Sequence, residues 1–302
     1  MNTVENFIPP VINGVSASKV FLPSDLTVNT VFEYLCQHFP HIQPQEWQQR
    51  FADQLIYAAD GSILTLESPY TANTHIFYYR FLAQETHVPF QHEILYENEH
   101  LLVVDKPHFL TMTPTGQYVQ ETLLVRLKKQ TGYEDLTPIH RLDRETAGIV
   151  LFCKKPELRG IYQQLFADRK VQKIYHAIAA YRAELHFPQI LQLHLEKGQP
   201  FYTMQINSEK PQNSETLIAL LEHNQHYAKY QLKPKTGKQH QLRVHLNYLG
   251  IPILNDPFYP VVAHKADDDF EQPLQLLAKE IYFIDPVLNQ EMHFNSKFEL
   301  TL

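Results

Sequence analysis

The chain has 302 residues, is 44% apolar and 20% charged, and carries a net charge of −7. That is enough material for one large or two modest cores, with the composition of a folded chain. The negative balance excludes a protein that coats nucleic acid by bulk attraction, but not an enzyme with a local basic groove. No run approaches the roughly 18 apolar residues of a membrane helix. The first six residues lack the basic-then-apolar layout of a secretion signal. Two cysteines, Cys36 and Cys153, fall in different regions. They indicate no disulfide framework, and a reducing, cytoplasmic setting is the expectation.

Residues 1–24 read as an irregular arm punctuated by Pro9, Pro10, Gly14 and Pro23. Val28, Val31, Phe32, Leu35 and Phe39 then share one helical face, with Thr27 or Asn29 as the cap and Pro40 as the stop. A second helix is expected over 44–55, opened by Pro44 and carrying Trp47, Phe51 and Leu55 inward. Short strands are expected over 63–66, after the Asp60-Gly61 turn, and over 75–80. Through residue 90 eight acids face only Lys19, Arg50 and Arg80, so this part is net −5. Residues 84–89 read as a linker. The expected domains are therefore 1–88 and 89–302.

In the second part, strands are expected over 94–96 and 101–104, closed by Asp105-Lys106-Pro107. An amphipathic helix is expected over 121–131, with Leu123, Leu124 and Leu127 inward and Arg126, Lys128 and Lys129 outward. The run Gly148-Ile149-Val150-Leu151-Phe152-Cys153 reads as a strand buried on both faces. A helix over 156–169, with Ile161, Leu165 and Phe166 inward, leads to a strand over 171–180. Strands over 191–195, 202–206, 215–222 and 227–233 follow. A helix over 239–249 stops at Gly250. Residues 263–272 form an acidic surface excursion, and strands over 274–284 and 292–300 finish the chain. The class is α+β, with a mixed, mostly antiparallel sheet flanked by helices.

The chemistry concentrates just before the buried strand, at His140-Arg141-Leu142-Asp143-Arg144-Glu145. Charges this dense at the mouth of such a strand are costly unless paired or used. Leu142 is expected to point inward and pin the loop. Asp143 is flanked by Arg141 and Arg144, which favours its ionised form. A positioned anionic carboxylate suits a nucleophile, while the alternative is a structural Arg–Asp network at a strand end. His240 and His245 are five residues apart, without paired cysteines or a His-Glu-x-x-His pattern. They read as structural or substrate-contacting and not as metal ligands. Thr236-Gly237-Lys238 is not a phosphate loop, since Leu232 and Gln239 break that pattern, and Asp267-Asp268-Asp269 is not a calcium loop.

His140-Arg141-Leu142-Asp143-Arg144-Glu145-Thr146-Ala147-Gly148 followed by an apolar strand resembles the catalytic motif of the RluA family of pseudouridine synthases. Ala147 stands where that family usually has Ser. Lys173-Ile174-Tyr175-His176-Ala177 and Thr236-Gly237-Lys238-Gln239-His240-Gln241-Leu242-Arg243-Val244-His245 match in the family's order, and Asp105-Lys106-Pro107 resembles its early signature. Asn255 replaces a usual Gly and Lys238 a usual Arg, which weakens any bidentate phosphate contact there. The layout of residues 1–88 resembles a small S-four-like (alpha-L) RNA-binding domain, and a degenerate packing module is equally open. The resemblance implies isomerisation of uridine to pseudouridine in structured rRNA or tRNA, with no cofactor, no metal and a monomeric enzyme. It implies Asp143 as the catalytic carboxylate and Arg141 as the side chain that fills the space left by a flipped base. Tyr175 would pack under the uracil, Arg243 would pair with Asp143, and Leu242 would line the pocket. His140, Arg144, Lys238 and His240 are the further expected RNA contacts. Two rivals remain open: a catalytically silent RNA-binding protein on the same fold, and a hydrolase using Asp143 with Glu145 as a carboxylate pair.

Overall fold

The computed structural model describes residues 7–80, 85–263 and 265–302. By contacts the chain divides into two compact units: residues 1–85 with 113–120 and 125–134, and residues 86–112 with 121–124 and 135–302. The expected division at 88/89 thus leaves two later segments with the first unit. Val119 and Val125 pack against Val15, and the Lys128 ammonium donates to Ser16. Lys128, expected on an outward basic face, is buried there.

In the first unit β1 (Ser18–Leu22), β2 (Ile56–Ala58) and β3 (Thr74–Tyr78) form an antiparallel sheet in the order β1-β3-β2. Helices α1 (Val31–His38) and α2 (Pro44–Ala52) complete it. Three expectations are corrected here. Residues 18–22, assigned to an irregular arm, are a strand, because their pairing partner lies more than fifty residues downstream and leaves no local signal. The third strand is 56–58 and not 63–66; Ile63 makes only an isolated bridge to Tyr57. The cap of α1 is Thr30, whose hydroxyl accepts from the Glu33 amide, in place of Thr27 or Asn29. Trp47, Tyr34, Leu35, Phe51 and Ile56 form the core, each large apolar side chain contributing roughly 1.5–3 kcal/mol by leaving water.

The second unit is built on β4 (Glu93–Glu97), β5 (Leu101–Lys106), β6 (Thr137–Pro138), β7 (Ala147–Cys153), β8 (Gln172–Ala180), β9 (Gln189–Leu193), β12 (Ser214–His223), β13 (Tyr227–Pro234), β14 (Leu276–Ile284) and β15 (Glu291–Asn295). Its main path runs β4-β5-β7-β14-β8-β13-β12-β9, and β10 (Leu195–Lys197) pairs separately with β11 (Met204–Ile206). The sheet is mixed: β7 and β14 pair in parallel, while its other pairings are antiparallel. All seven residues of β7 are buried, as its unbroken apolar run requires. Gly148 is demanded by this position. Its φ is +115°, and an added Cβ would lie 2.3 Å from the Ala278 carbonyl oxygen on β14.

Helices α3 (Leu123–Thr131), α4 (Arg159–Ala167) and α5 (Gln241–Tyr248) were expected with somewhat longer bounds. A 3-10 turn over Pro156–Leu158 precedes α4 and shifts its phase. Tyr162 therefore points inward and Ile161, expected in the core, is 46% exposed. The acidic segment near 263–272 is also anchored: Phe270 packs on Phe90 and Phe109, and the Asp267 carbonyl accepts from Arg144. Among the described residues no helix is long and apolar enough to cross a membrane.

Candidate active site

The loop between β6 and β7 carries the charged motif, and strand ends hold its backbone. The Thr146 amide donates to the Asp143 carbonyl, closing a turn, and Leu142 is buried beneath it. Lys106, at the end of β5, is wholly buried; its ammonium donates to the carbonyls of Pro107, Leu110 and Arg144 at 3.0, 2.9 and 3.1 Å. Burial lowers its pKa to about 7, against the attraction of Glu145 and Asp143. His108 contacts the Glu145 carbonyl at 2.7 Å. Asp105 anchors the same strand end by accepting from the Ser296 hydroxyl and the Lys297 amide. Sequence reasoning had noted Asp105-Lys106-Pro107 only as a signature.

The loop opens into a cavity of about 900 Å³ lined by Arg141, Leu142, Asp143, Tyr175, Lys238, Leu242 and Arg243, among others. Arg169, Lys173 and Lys235 join Arg141, Lys238 and Arg243 as its cations, while Asp143 is the acid among the lining residues. The basic lining lies in a chain of net −7. Most of the expected site residues, drawn from three distant stretches, thus line one space. Arg144 does not line it: its guanidinium pairs with Glu145 at 2.7 Å and lies over the Phe109 ring. That contact also occupies the second carboxylate of the hydrolase alternative.

Asp143 is held from α5 and not by its neighbours in sequence. Arg243 Nη1 reaches Asp143 Oδ2 at 3.3 Å. The rest of the guanidinium is taken by Asp256, which accepts from Nε at 2.8 Å and from Nη2 at 2.6 Å. Both side chains of that second pair are buried, at 1% and 0% exposure, while Asp143 keeps 34%. Burial alone would lower the Arg243 pKa, but hydrogen bonds and charge from Asp256, with Asp143, leave it raised. Asp256 also accepts from the amides of Phe258 and Tyr259. Its role depends on a contact thirteen residues away that only the folded turn creates.

The start of α5 is fastened to β12. Gln241 Nε2 donates to the Glu215 carbonyl and the Thr216 hydroxyl, and the buried His245 contacts Ser214. His240 sits in left-handed backbone at φ 51°, its Nε2 3.7 Å from Asp143 Oδ2 and its Nδ1 2.9 Å from the Tyr259 hydroxyl. Burial pushes this imidazole down to about 4, so at neutral pH the contact with Asp143 is dipole to charge and not an ion pair. His140 lines the cavity, but its Nε2 accepts the Leu151 amide and its ring stacks on Phe166. Burial, with Lys173 beside it, lowers it to about 3. Tyr175 is raised by burial and by the charge of Asp143, which keeps its phenol protonated at neutral pH. Among the described residues no group of three or more His, Cys, Asp or Glu side chains is placed to hold a metal.

A mixed sheet with a basic cavity and a carboxylate at the mouth of a buried strand suits an enzyme that acts on a polyanion. The family model described as RNA pseudouridylate synthase matches residues 100–248. An uncharacterised RNA pseudouridine synthase of Mycoplasma pneumoniae is 32% identical over 218 residues, covering 69% of this chain and 67% of its own. The dual-specificity RNA pseudouridine synthase RluA of Vibrio parahaemolyticus is 30% identical over 208 residues, covering 64% and 78%. The structure titled human RNA pseudouridylate synthase domain containing 1 has the same fold, with a TM-score of 0.58 and 23% identity over 71% of this chain and 86% of that one. The chain belongs to the RluA family of RNA pseudouridine synthases. It is an isomerase that acts on uridine in RNA.

Proposed function

We propose that Asp143 supplies the anionic step of the isomerisation, on uridines of structured rRNA or tRNA. In this reaction the N1–C1′ bond breaks, the base turns, and C5 bonds to C1′; C5 loses a proton and N1 gains one. No electrons enter or leave. The carrying observation is the asymmetry of the two carboxylates on Arg243: Asp256 is sealed, while Asp143 faces the cavity. Arg243 pairs with Asp143 and aims it. Tyr175, a neutral phenol in the cavity, packs under the uracil ring. Arg141, exposed at the rim, fills the gap left by the flipped base, where a planar cation stacks well. Lys238 and the neighbouring bases hold the RNA backbone. Residues 1–88 serve as an S-four-like accessory unit that contributes little to RNA binding, in keeping with their acidic balance. The enzyme works as a monomer in the cytoplasm, without a metal; its two cysteines are free.

The test maps pseudouridine by carbodiimide-dependent primer stops in RNA from a strain lacking the gene, incubated with wild-type protein or Asp143→Asn. New stops with wild type alone are expected. Turnover in Asp143→Asn above about a thousandth of wild type would remove Asp143 from this role. RNA binding without stops from wild type would favour a silent binding protein.

A further inference from the structure

The neutral imidazole of His240 has one N–H, and the direction of that N–H matters because Nε2 faces Asp143. The surrounding hydrogen bonds decide it. The Tyr259 oxygen accepts the Met204 amide at 2.8 Å, and the Nδ1 of His240 lies 2.9 Å from the same oxygen. The backbone amide can only donate, so the phenol must spend its own hydrogen elsewhere. His240 Nδ1 is the acceptor within reach, and it accepts only if it carries no proton. The hydrogen of the imidazole then sits on Nε2, toward the carboxylate. Asp143's negative charge favours the same tautomer independently, because it attracts the N–H dipole.

We infer that Tyr259, acting through the His240 tautomer, is a positioning residue that keeps an N–H aimed at the Asp143 carboxylate opposite the Arg243 guanidinium. The relay runs from the Met204 amide on β11, through Tyr259 and His240, to the reacting group. It requires the turn at 256–259 that also supplies Asp256, so one turn holds both groups that address Asp143. Packing holds the relay in place: the His240 ring lies against Phe258 and Tyr259. A protonated His240 would put a second cation against Asp143 beside Arg243; the neutral ring presents an N–H there without adding that charge.

This inference rests on the reading of Asp143 as the reacting group, and its first test needs no turnover. Long-range proton–nitrogen spectra of the ¹⁵N-histidine-labelled enzyme separate protonated from bare ring nitrogens, and the His240→Gln spectrum assigns the His240 signals. Wild type is expected to show the Nε2–H tautomer at pH 7. An Nδ1–H tautomer would overturn the inference whatever the activity. Tyr259→Phe keeps the ring and its burial but removes the donor. It is expected to shift His240 toward a tautomer mixture and to lower kcat by about tenfold to a hundredfold, the range seen when an outer partner of a reacting group is lost. The RNA dissociation constant should stay within about threefold, since no cavity-lining cation is touched. An unchanged tautomer with unchanged kcat in Tyr259→Phe would also overturn it. Activity retained in Asp143→Asn is a separate failure, of the reading beneath it, and leaves the spectrum to be judged alone.

Discussion

Asp256→Asn separates the sealed carboxylate on Arg243 from the exposed one. The native side chain accepts four hydrogen bonds, two from the guanidinium and two from the amides of residues 258 and 259. Asparagine keeps one oxygen but turns an NH₂ toward the other N–H donor, and the buried Arg243 charge loses its close counter-charge, leaving the 3.3 Å contact to Asp143 as its ion pair. Removing one partner of a buried pair costs about 3–5 kcal/mol. That is a large part of the roughly 5–15 kcal/mol that holds a domain together. With a urea slope of about 2 kcal/mol/M, the midpoint of the catalytic unit should fall by about 1.5–2.5 M. Far-UV circular dichroism reports both units, and the larger second unit dominates its strand signal. Trp47 is the single tryptophan and lies in the first unit, so its fluorescence is an internal control that should move less. Asp143→Asn should shift the midpoint little, because a partly exposed pair is worth about 0–1 kcal/mol. A fall below about 0.5 M for Asp256→Asn, or equal falls for the two variants, would refute the division into a structural and a functional carboxylate.

Tyr175→Phe should retain activity within about tenfold if stacking is the tyrosine's task, and Tyr175→Leu should be far worse. Equal loss in both would make the hydroxyl a participant in proton transfer. Arg169→Ala and Lys238→Ala should each lower the slope of log RNA affinity against log salt by about 0.7–0.9, and unchanged slopes would place the phosphates elsewhere. Stability should also depend on pH, because burial holds His108, His240 and His245 at about 4 and His140 at about 3, below the ordinary value of about 6.5. The unfolded chain therefore binds more protons across that window. Their stabilisation is complete above pH 6.5 and is lost as pH falls toward 4, with a slope of up to about 1.4 kcal/mol per pH unit for each histidine. A melting temperature that is flat between pH 7 and 4.5 would contradict this.

The sequence by itself determined what local physics writes into adjacent residues. The unbroken apolar run of β7 reads as a strand buried on both faces, and all its residues are buried. Helices α1, α2 and α5 followed from periodicity, with Pro44 opening one and Gly250 ending another. The dense charge at 140–145 pointed to a stretch whose residues 140–143 line the cavity, and the resemblance supplied the ordered matches that gave the family. Pairing across long separations was decided by tertiary structure. The strand at 18–22 exists because residues 74–78 return beside it, and nothing within its five residues announces that partner. Arg141 and Arg144 flank Asp143 in sequence, but the guanidinium that meets its carboxylate comes from Arg243, and Arg144 turns to Glu145. Asp256, Lys106 and Tyr259 reach Arg243, the Arg144 carbonyl and His240 only because the fold brings a turn, a strand end and a phenol to them. Backbone periodicity is a property of neighbours, whereas the partner of a buried charge is chosen by where the chain returns.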